Sequence, residues 1–251
     1  MSNVLNQQDY GVVVQARMSS SRLPGKVLMD IEGQPMLLRQ LRRLEKGLQI
    51  DKLIVATSDH KSDDLIHAVC QKYGFSCYRG PLDDVMLRYI LLAQSFDLRY
   101  IIRVGGDDPL IDPMCCNTLF SSNQNSRYDF IYASNRDGWP YGCAAELIDC
   151  NILKQIHHDS LDQLYKEHII PYFFDNRDHF NILRLQAPKY LNRPNYCFSV
   201  DYSEDIELVR TIFRHFINQV DTFTLKELID FVDANPKTLD INKHLHSGFD
   251  H

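Results

Sequence analysis

Residues 10–26, YGVVVQARMSSSRLPGK, decide how the rest of the chain is read. The first six are almost continuously apolar and β-branched, the pattern of a strand buried on both faces of a parallel sheet. Where that strand ends, residues 15–26 place three cations, three serines and a Pro-Gly turn within twelve positions. Backbone N–H groups around Ser19, Ser20 and Ser21 can form a concavity for an anion, and Gly25 lets the backbone turn closely. Arg17, Arg22 and Lys26 can neutralise a triphosphate from several directions. Any one of these arginines taken singly would be read as a solvated surface residue; their clustering at a strand end favours the phosphate reading. The segment matches neither the Walker pattern G-x-x-x-x-G-K-[ST] nor the dinucleotide pattern G-x-G-x-x-G.

Working outward, Pro35 opens a helix that places Met36, Leu37, Leu38, Leu41 and Leu44 on one face and Arg39, Arg42 and Arg43 on the other. Residues 52–57 read as a second strand. A helix follows, capped by Ser62, carrying Leu65, Ile66, Val69 and Tyr73, and closed by Gly74. Residues 76–79 are a third strand, 83–96 a helix and 100–104 a fourth strand. This βαβαβαβ order predicts a three-layer α/β fold with a mostly parallel mixed sheet and ligands at the carboxyl ends of its strands. Beyond residue 129 the alternation weakens. Strands are expected at 130–133, 144–148 and 181–185, a polar helix at 159–174, a buried strand at 196–200, a helix at 203–216 and a shorter one after Thr224. No repeat, linker or low-complexity tract divides the chain, so residues 1–251 are expected to form one domain.

The second informative loop is 103–113, RVGGDDPLIDP. Gly105 and Gly106 clear side chains from the strand end, and Asp107 projects a carboxylate into the crevice. Mg²⁺ takes hard oxygen ligands, commonly one or two protein carboxylates with phosphate oxygens and water completing the octahedron. The second carboxylate is expected from Asp201, at the end of the apolar run YCFSV. A helix cap is the alternative for Asp201, and the expected role of Asp112.

The chain has 251 residues, with 27 Lys and Arg against 33 Asp and Glu. A formal charge of −6 argues against sequence-independent attraction to nucleic acid, so an anionic ligand must be met by particular cations. Seven cysteines form no C-x-x-C pair and read as reduced thiols of a cytoplasmic protein. The polar N-terminus, and the lack of any apolar run near roughly 20 residues, give no expectation of export or membrane insertion. His157, His158, His244 and His246 have no companion cysteines at finger spacing and read as a solvated helix end and tail.

Residues 15–26, continued by Val27, Leu28 and Asp30, resemble the signature of the cytidylyltransferase family that includes spore-coat polysaccharide biosynthesis proteins, related to CMP-Kdo and CMP-acylneuraminate synthetases. The resemblance continues in order through Ala56 to Asp59, Arg79-Gly80, Asp83 to Val85, Arg88-Tyr89, Gly106-Asp107, 109–113, Glu167-His168 and Val200-Asp201. It implies a Rossmann-like nucleotide-diphospho-sugar transferase fold, CTP as donor, a sugar acceptor that is acidic or otherwise modified, and Mg²⁺ as cofactor. Residues 10–128 would then form the nucleotide-binding half, and 129–251 the acceptor-binding, closing part. By the same resemblance Arg17, Arg22 and Lys26 hold the triphosphate. Gln15, Ala16, Met18, Ser19 and Gly106 contact the nucleotide, and Asp107 with Asp201 holds the metal. Glu146, Glu167 and His168 are the acceptor candidates, against a structural strand-end role for Glu146 and a solvated helix face for the other two. A homodimer is compatible with the resemblance. Leu87, Asp108 and Ala144 stand where relatives commonly have Asp, Cys and an acidic residue, which bears on the acceptor. An NDP-sugar pyrophosphorylase acting on a sugar 1-phosphate, or a non-catalytic nucleotide-binding protein, would use the same loops.

Overall fold

A computed structural model describes residues 6–159 and 162–246; the first five positions, two positions within the helix expected at 159–174, and the last five lie outside that description. In chain order the elements begin with β1 (Tyr10–Gln15), a small ribbon of β2 (Asp30–Ile31) and β3 (Gln34–Pro35), and α1 (Met36–Gly47). Next come β4 (Leu53–Ser58), α2 (Asp64–Tyr73), β5 (Ser76–Gly80), α3 (Val85–Ser95), β6 (Tyr100–Gly105) and α4 (Pro113–Asn125). The second half contributes β7 (Phe130–Ala133), β8 (Glu146–Asp149), α5 (Cys150–Asp159), α6 (Gln163–Glu167), α7 (Ile169–Asp175), β9 (Ile182–Leu185), α8 (Ser203–His215) and α9 (Leu225–Ala234).

Seven strands form one sheet in the order β5-β4-β1-β6-β8-β7-β9. Strands β5, β4, β1 and β6 are parallel neighbours, β8 is antiparallel to both β6 and β7, and β9 is parallel to β7. Only β8 therefore runs against the rest. Side chains alternate across the pleat. Val12, Val14, Ile102 and Val104 pack on one face with α1, α4, α8 and α9. Val13, Ile54, Ala56 and Ile101 pack on the other with α3, α5 and α7. The mostly parallel, three-layer α/β architecture expected from the sequence is the one observed.

Three local expectations are corrected. Residues 196–200 do not form a strand: Phe198 N–H donates to Tyr141 O (2.8 Å), and Val200 N–H to Asp107 O (2.8 Å). Those partners are loops, so the segment makes only the isolated bridge Tyr141–Cys197 and no ladder. The helix expected at 159–174 breaks at His168, which is extended (φ −119°, ψ 93°), and restarts as α7. Pro171 explains this, since a proline inside a continuous helix would lack its donor and clash with the preceding turn. Finally, Arg39 and Arg43 are buried, 5% and 1% exposed, because the C-terminal helices cover the face of α1 that would otherwise meet water. Arg43 donates to Phe223 O (3.0 Å) and lies 3.7 Å from the centre of that ring.

Candidate active site

The registers set the site. Gln15 pairs with Gly105, so β1 and β6 end level, and Arg103 pairs with Glu146, which brings the start of the reversed strand β8 to the same edge. Loops 16–26, 105–113 and 134–145 therefore open side by side.

The first loop is folded around the carboxylate of the residue that follows Ser62. Asp63, fully buried just before α2, accepts from Met18 N–H (2.8 Å) and Ser58 N–H (3.1 Å), and from the Ser58 hydroxyl. Burial alone would raise its pKa, but the hydroxyl and backbone donors outweigh burial and hold it below the ordinary carboxylate range. Asp63 thus occupies the helix-start position expected of Ser62, with its side chain turned to the loop. Met18 O accepts from Ser20 N–H (3.0 Å) and Gly25 N–H (2.9 Å), closing the turn at Gly25, whose φ of +74° suits glycine. The N–H groups of Met18 and Ser20 are therefore spent inside the loop, leaving less of the concavity expected around the serines.

Past Gly25 a short 3₁₀ turn, Lys26–Leu28, points Lys26 inward, 6% exposed. Its ammonium donates to Asp107 Oδ2 (2.7 Å), Asp201 Oδ1 (2.9 Å) and Val200 O (2.6 Å). Arg22 reaches the same Asp201 oxygen at 2.7 Å. Burial pulls the Lys26 pKa down, yet Asp107 and Asp201 more than reverse this and hold it above the usual lysine value. Arg22 is shifted up too, Asp201 overcoming its smaller burial. The carboxylate of Asp201 makes no cap to α8; that helix start is served by Asp205, which accepts from the N–H groups of Asp201 and Tyr202.

Opposite lies the glycine pair. A Cβ on Gly105 would stand 2.5 Å from Asp107 Oδ1 and 2.6 Å from Asp108 Oδ2, and one on Gly106 would stand 2.7 Å from Gln15 O. Glycine here lets two carboxylates and the end of β1 crowd together. Arg103, midway, donates to Gln15 Oε1 (3.2 Å) and Glu146 Oε2 (3.1 Å), while Tyr89 also donates to Gln15 Oε1 (2.9 Å). Burial would lower the Arg103 pKa, but Glu146 and Tyr89 keep it above the ordinary arginine value. The sequence reading did not select Asp63, Tyr89 or Arg103. A charge within the apolar strand YIIRV was the available signal for Arg103.

Two clefts share this floor. One, of about 360 Å³, is lined by Gln15, Arg17, Arg22 and Lys26 together with Glu167 and His168. The other, of about 330 Å³, contains Glu146, Asp108, Tyr141 and Ser199. Arg22, Arg103, Gly105, Asp107 and Asp201 border both. The three acceptor candidates are thus split: Glu146 lies in the second cleft, whereas Glu167 faces Arg17 across 3.6 Å in the first. Ala16 and Gly106 are buried beneath the floor, and Ser19 is exposed outside both clefts. Among the described residues no group of three or more His, Cys, Asp and Glu side chains forms a metal centre. The donor set of Asp107 and Asp201 still fits Mg²⁺, a hard ion that needs no more than one or two protein carboxylates.

A mostly parallel sheet that carries a cationic loop and paired carboxylates at its carboxyl edge is the frame of a nucleotidyltransferase. The chain belongs to the cytidylyltransferase family, whose sequence pattern matches residues 12–246. It is 30% identical over 233 residues, 91% of this chain and 95% of the relative, to the spore coat polysaccharide biosynthesis protein SpsF of Bacillus subtilis. It is 29% identical to 3-deoxy-manno-octulosonate cytidylyltransferase 2 of Hydrogenovibrio crunogenus, covering 78% of this chain and 81% of that protein. In structure it is similar to a cytidylyltransferase from Leptospira borgpetersenii, with a TM-score of 0.86, 25% identity and coverage of 92% and 96%.

Proposed function

We propose that this nucleotidyltransferase moves CMP from CTP to a modified sugar and releases pyrophosphate, in surface-polysaccharide or glycoconjugate biosynthesis. One observation carries the reading: the ammonium of Lys26, from the loop after β1, bridges Asp107 from the loop after β6 and Asp201 from the far end of the chain. In this reading the first cleft receives the nucleotide, with Gln15 in its wall, Ala16 and Gly106 buried beneath its floor, Met18 anchoring the adjoining loop, and residues 10–128 acting as the nucleotide half. Arg17, Arg22 and Lys26 neutralise the triphosphate, and Glu167 and His168, the other two acceptor candidates, border the same cleft. Residues 129–251 supply the acceptor side through Glu146 and the metal side through Asp201.

A sugar oxygen attacks the α-phosphorus in line as pyrophosphate leaves, so the protein's task is positioning and charge neutralisation, with no enzyme nucleophile. A cation about 4 Å from a phosphate oxygen contributes on the order of 4 kcal/mol at an effective dielectric near 20, before desolvation. Asp107 and Asp201 would hold Mg²⁺, which when bound supplies further positive charge to the phosphates. The seven cysteines, all free thiols, suit the cytoplasm. Among the described residues no helix is long and apolar enough to cross a membrane.

Thermal stabilisation against CTP, UTP, GTP and ATP, with and without Mg²⁺, tests the proposal, because a ligand of the native state stabilises by RT ln(1 + [L]/Kd). The largest Tm rise is expected with CTP plus Mg²⁺. No rise with any nucleotide would refute it.

A further inference from the structure

We propose that Cys70 and Cys77 are a dithiol oxidised by peroxide to a disulfide, with Cys77 as the attacking sulfur and Cys70 as the resolving one. Neither residue borders either cleft at the carboxyl edge of the sheet, so the inference stands apart from the CMP-transfer reading.

Register and crossover bring the two together. Cys77 pairs with Val55 in the ladder between β4 and β5, and so shares Val55's face of the sheet. The helix joining those strands, α2, covers that face. Its buried positions are Ile66 and Cys70, and both belong to the apolar cluster around Val55 against which Cys77 packs. The two thiols hydrogen-bond to each other, and His67, one turn before Cys70, reaches Cys77 as well. The Nδ1 of that imidazole is buried and has no other partner. Six of the seven thiols are buried, whereas Cys77 is half-buried. Charge follows the same division. The bond from the Cys70 thiol outweighs burial and, with His67 and Arg79, holds the Cys77 pKa down to about 6, while Cys70 is pushed far up. Burial raises the remaining five, Cys115, Cys116, Cys143, Cys150 and Cys197. The thiolate, not the thiol, is the nucleophile, so one sulfur of the seven is armed and has a second beside it.

The steps balance with hydrogen peroxide as the oxidant. The Cys77 thiolate attacks one peroxide oxygen; an S–O bond forms, the O–O bond breaks, and hydroxide leaves and takes up a proton, which His67 can supply, to become water. Sulfur is oxidised to the sulfenic acid and peroxide is reduced. The Cys70 sulfur then attacks Cys77; the S–S bond forms, the S–O bond breaks, and the hydroxyl leaves with the Cys70 proton as a second water.

The test treats the freshly reduced full chain with hydrogen peroxide, alkylates it and digests it with trypsin without reduction. Cleavage after Lys61, Lys72 and Arg79 puts the two cysteines on separate peptides, 62–72 and 73–79. The expected product is that pair joined, about 2 Da lighter than its reduced sum and separated again by dithiothreitol. Free thiols should fall from seven to five. In Cys70→Ser the sulfenic acid should persist at Cys77 and be trapped by dimedone, and in Cys77→Ser the Cys70 thiol should stay reduced. Before oxidation, Cys77 of the wild type should react with iodoacetamide at least about tenfold faster than any other cysteine. The joined peptide and the order of labelling decide alone if a variant does not fold. Both thiols left intact by peroxide, oxidation falling first on another cysteine, or either residue joined to a different partner overturns the inference and leaves CMP transfer standing.

Discussion

Lys26 makes its three bonds to two carboxylates and a carbonyl at a position 6% exposed, so its charge cannot be replaced by water without rebuilding the floor of the site. Lys26→Ala and Asp107→Ala should each lower the rate of pyrophosphate release at least about a hundredfold, roughly 2.7 kcal/mol of transition-state stabilisation. Near-normal turnover would refute these roles. Asp63 is the corresponding residue for loop shape. Asp63→Asn should destabilise the protein by about 1–3 kcal/mol, read by denaturant unfolding, since buried donors at Met18 and Ser58 lose a charged acceptor. Its folded pKa is depressed. The stability it contributes is therefore present above the unfolded carboxylate value, about 3.9, and is lost as pH falls through the folded value. The gap between wild type and Asp63→Asn should close in acid, and a gap that widened there would contradict the assignment. Lys26 and Asp107 could be singled out in the sequence because both lie in loops that follow recognisable strands. Asp63 could not, because its partner Met18 is 45 positions away and nothing local distinguishes a carboxylate that caps a helix from one that holds a loop.

Among the elements, β1, β4 and β6 were legible because strands buried on both faces are continuous apolar runs. The segment 196–200 has the same composition, yet it pairs with single residues in two loops, a non-local arrangement that apolar pattern does not encode. The Arg103–Glu146 pair depended likewise on the register of β6 against β8. The segment 196–200 nonetheless delivers Asp201 to Lys26, through a close approach at Gly142. There φ is +83° and a Cβ would stand 2.4 Å from Ser199 N. Gly142→Ala should therefore cost at least about 1 kcal/mol and shift Asp201, weakening Mg²⁺-dependent nucleotide binding more than an equally destabilising change remote from the site. Paired unfolding and CTP titrations of the two variants check this; equal binding in both would mean the segment does not set Asp201.

At the scale of the molecule, a chain of net charge −6 gathers Arg17, Arg22, Lys26 and Arg103 at one edge of a single sheet. Nucleotide affinity should fall as salt screens this partly exposed cluster. The neighbouring cleft draws its carboxylates from three separated segments, each named from the sequence, but that they border one cleft beside the nucleotide side depends on the packing of those segments. On the proposed function, segments from both ends of the chain grip the triphosphate and its counter-ion as one unit. Calorimetric CTP binding in Mg²⁺, for wild type, Arg22→Ala, Asp201→Asn and the double variant, tests it most directly. Each single change should weaken binding at least about tenfold, and the double should depart from additivity by about 1 kcal/mol or more, as expected of residues in contact. CTP affinity unchanged by Asp201→Asn and by Arg22→Ala would contradict the account.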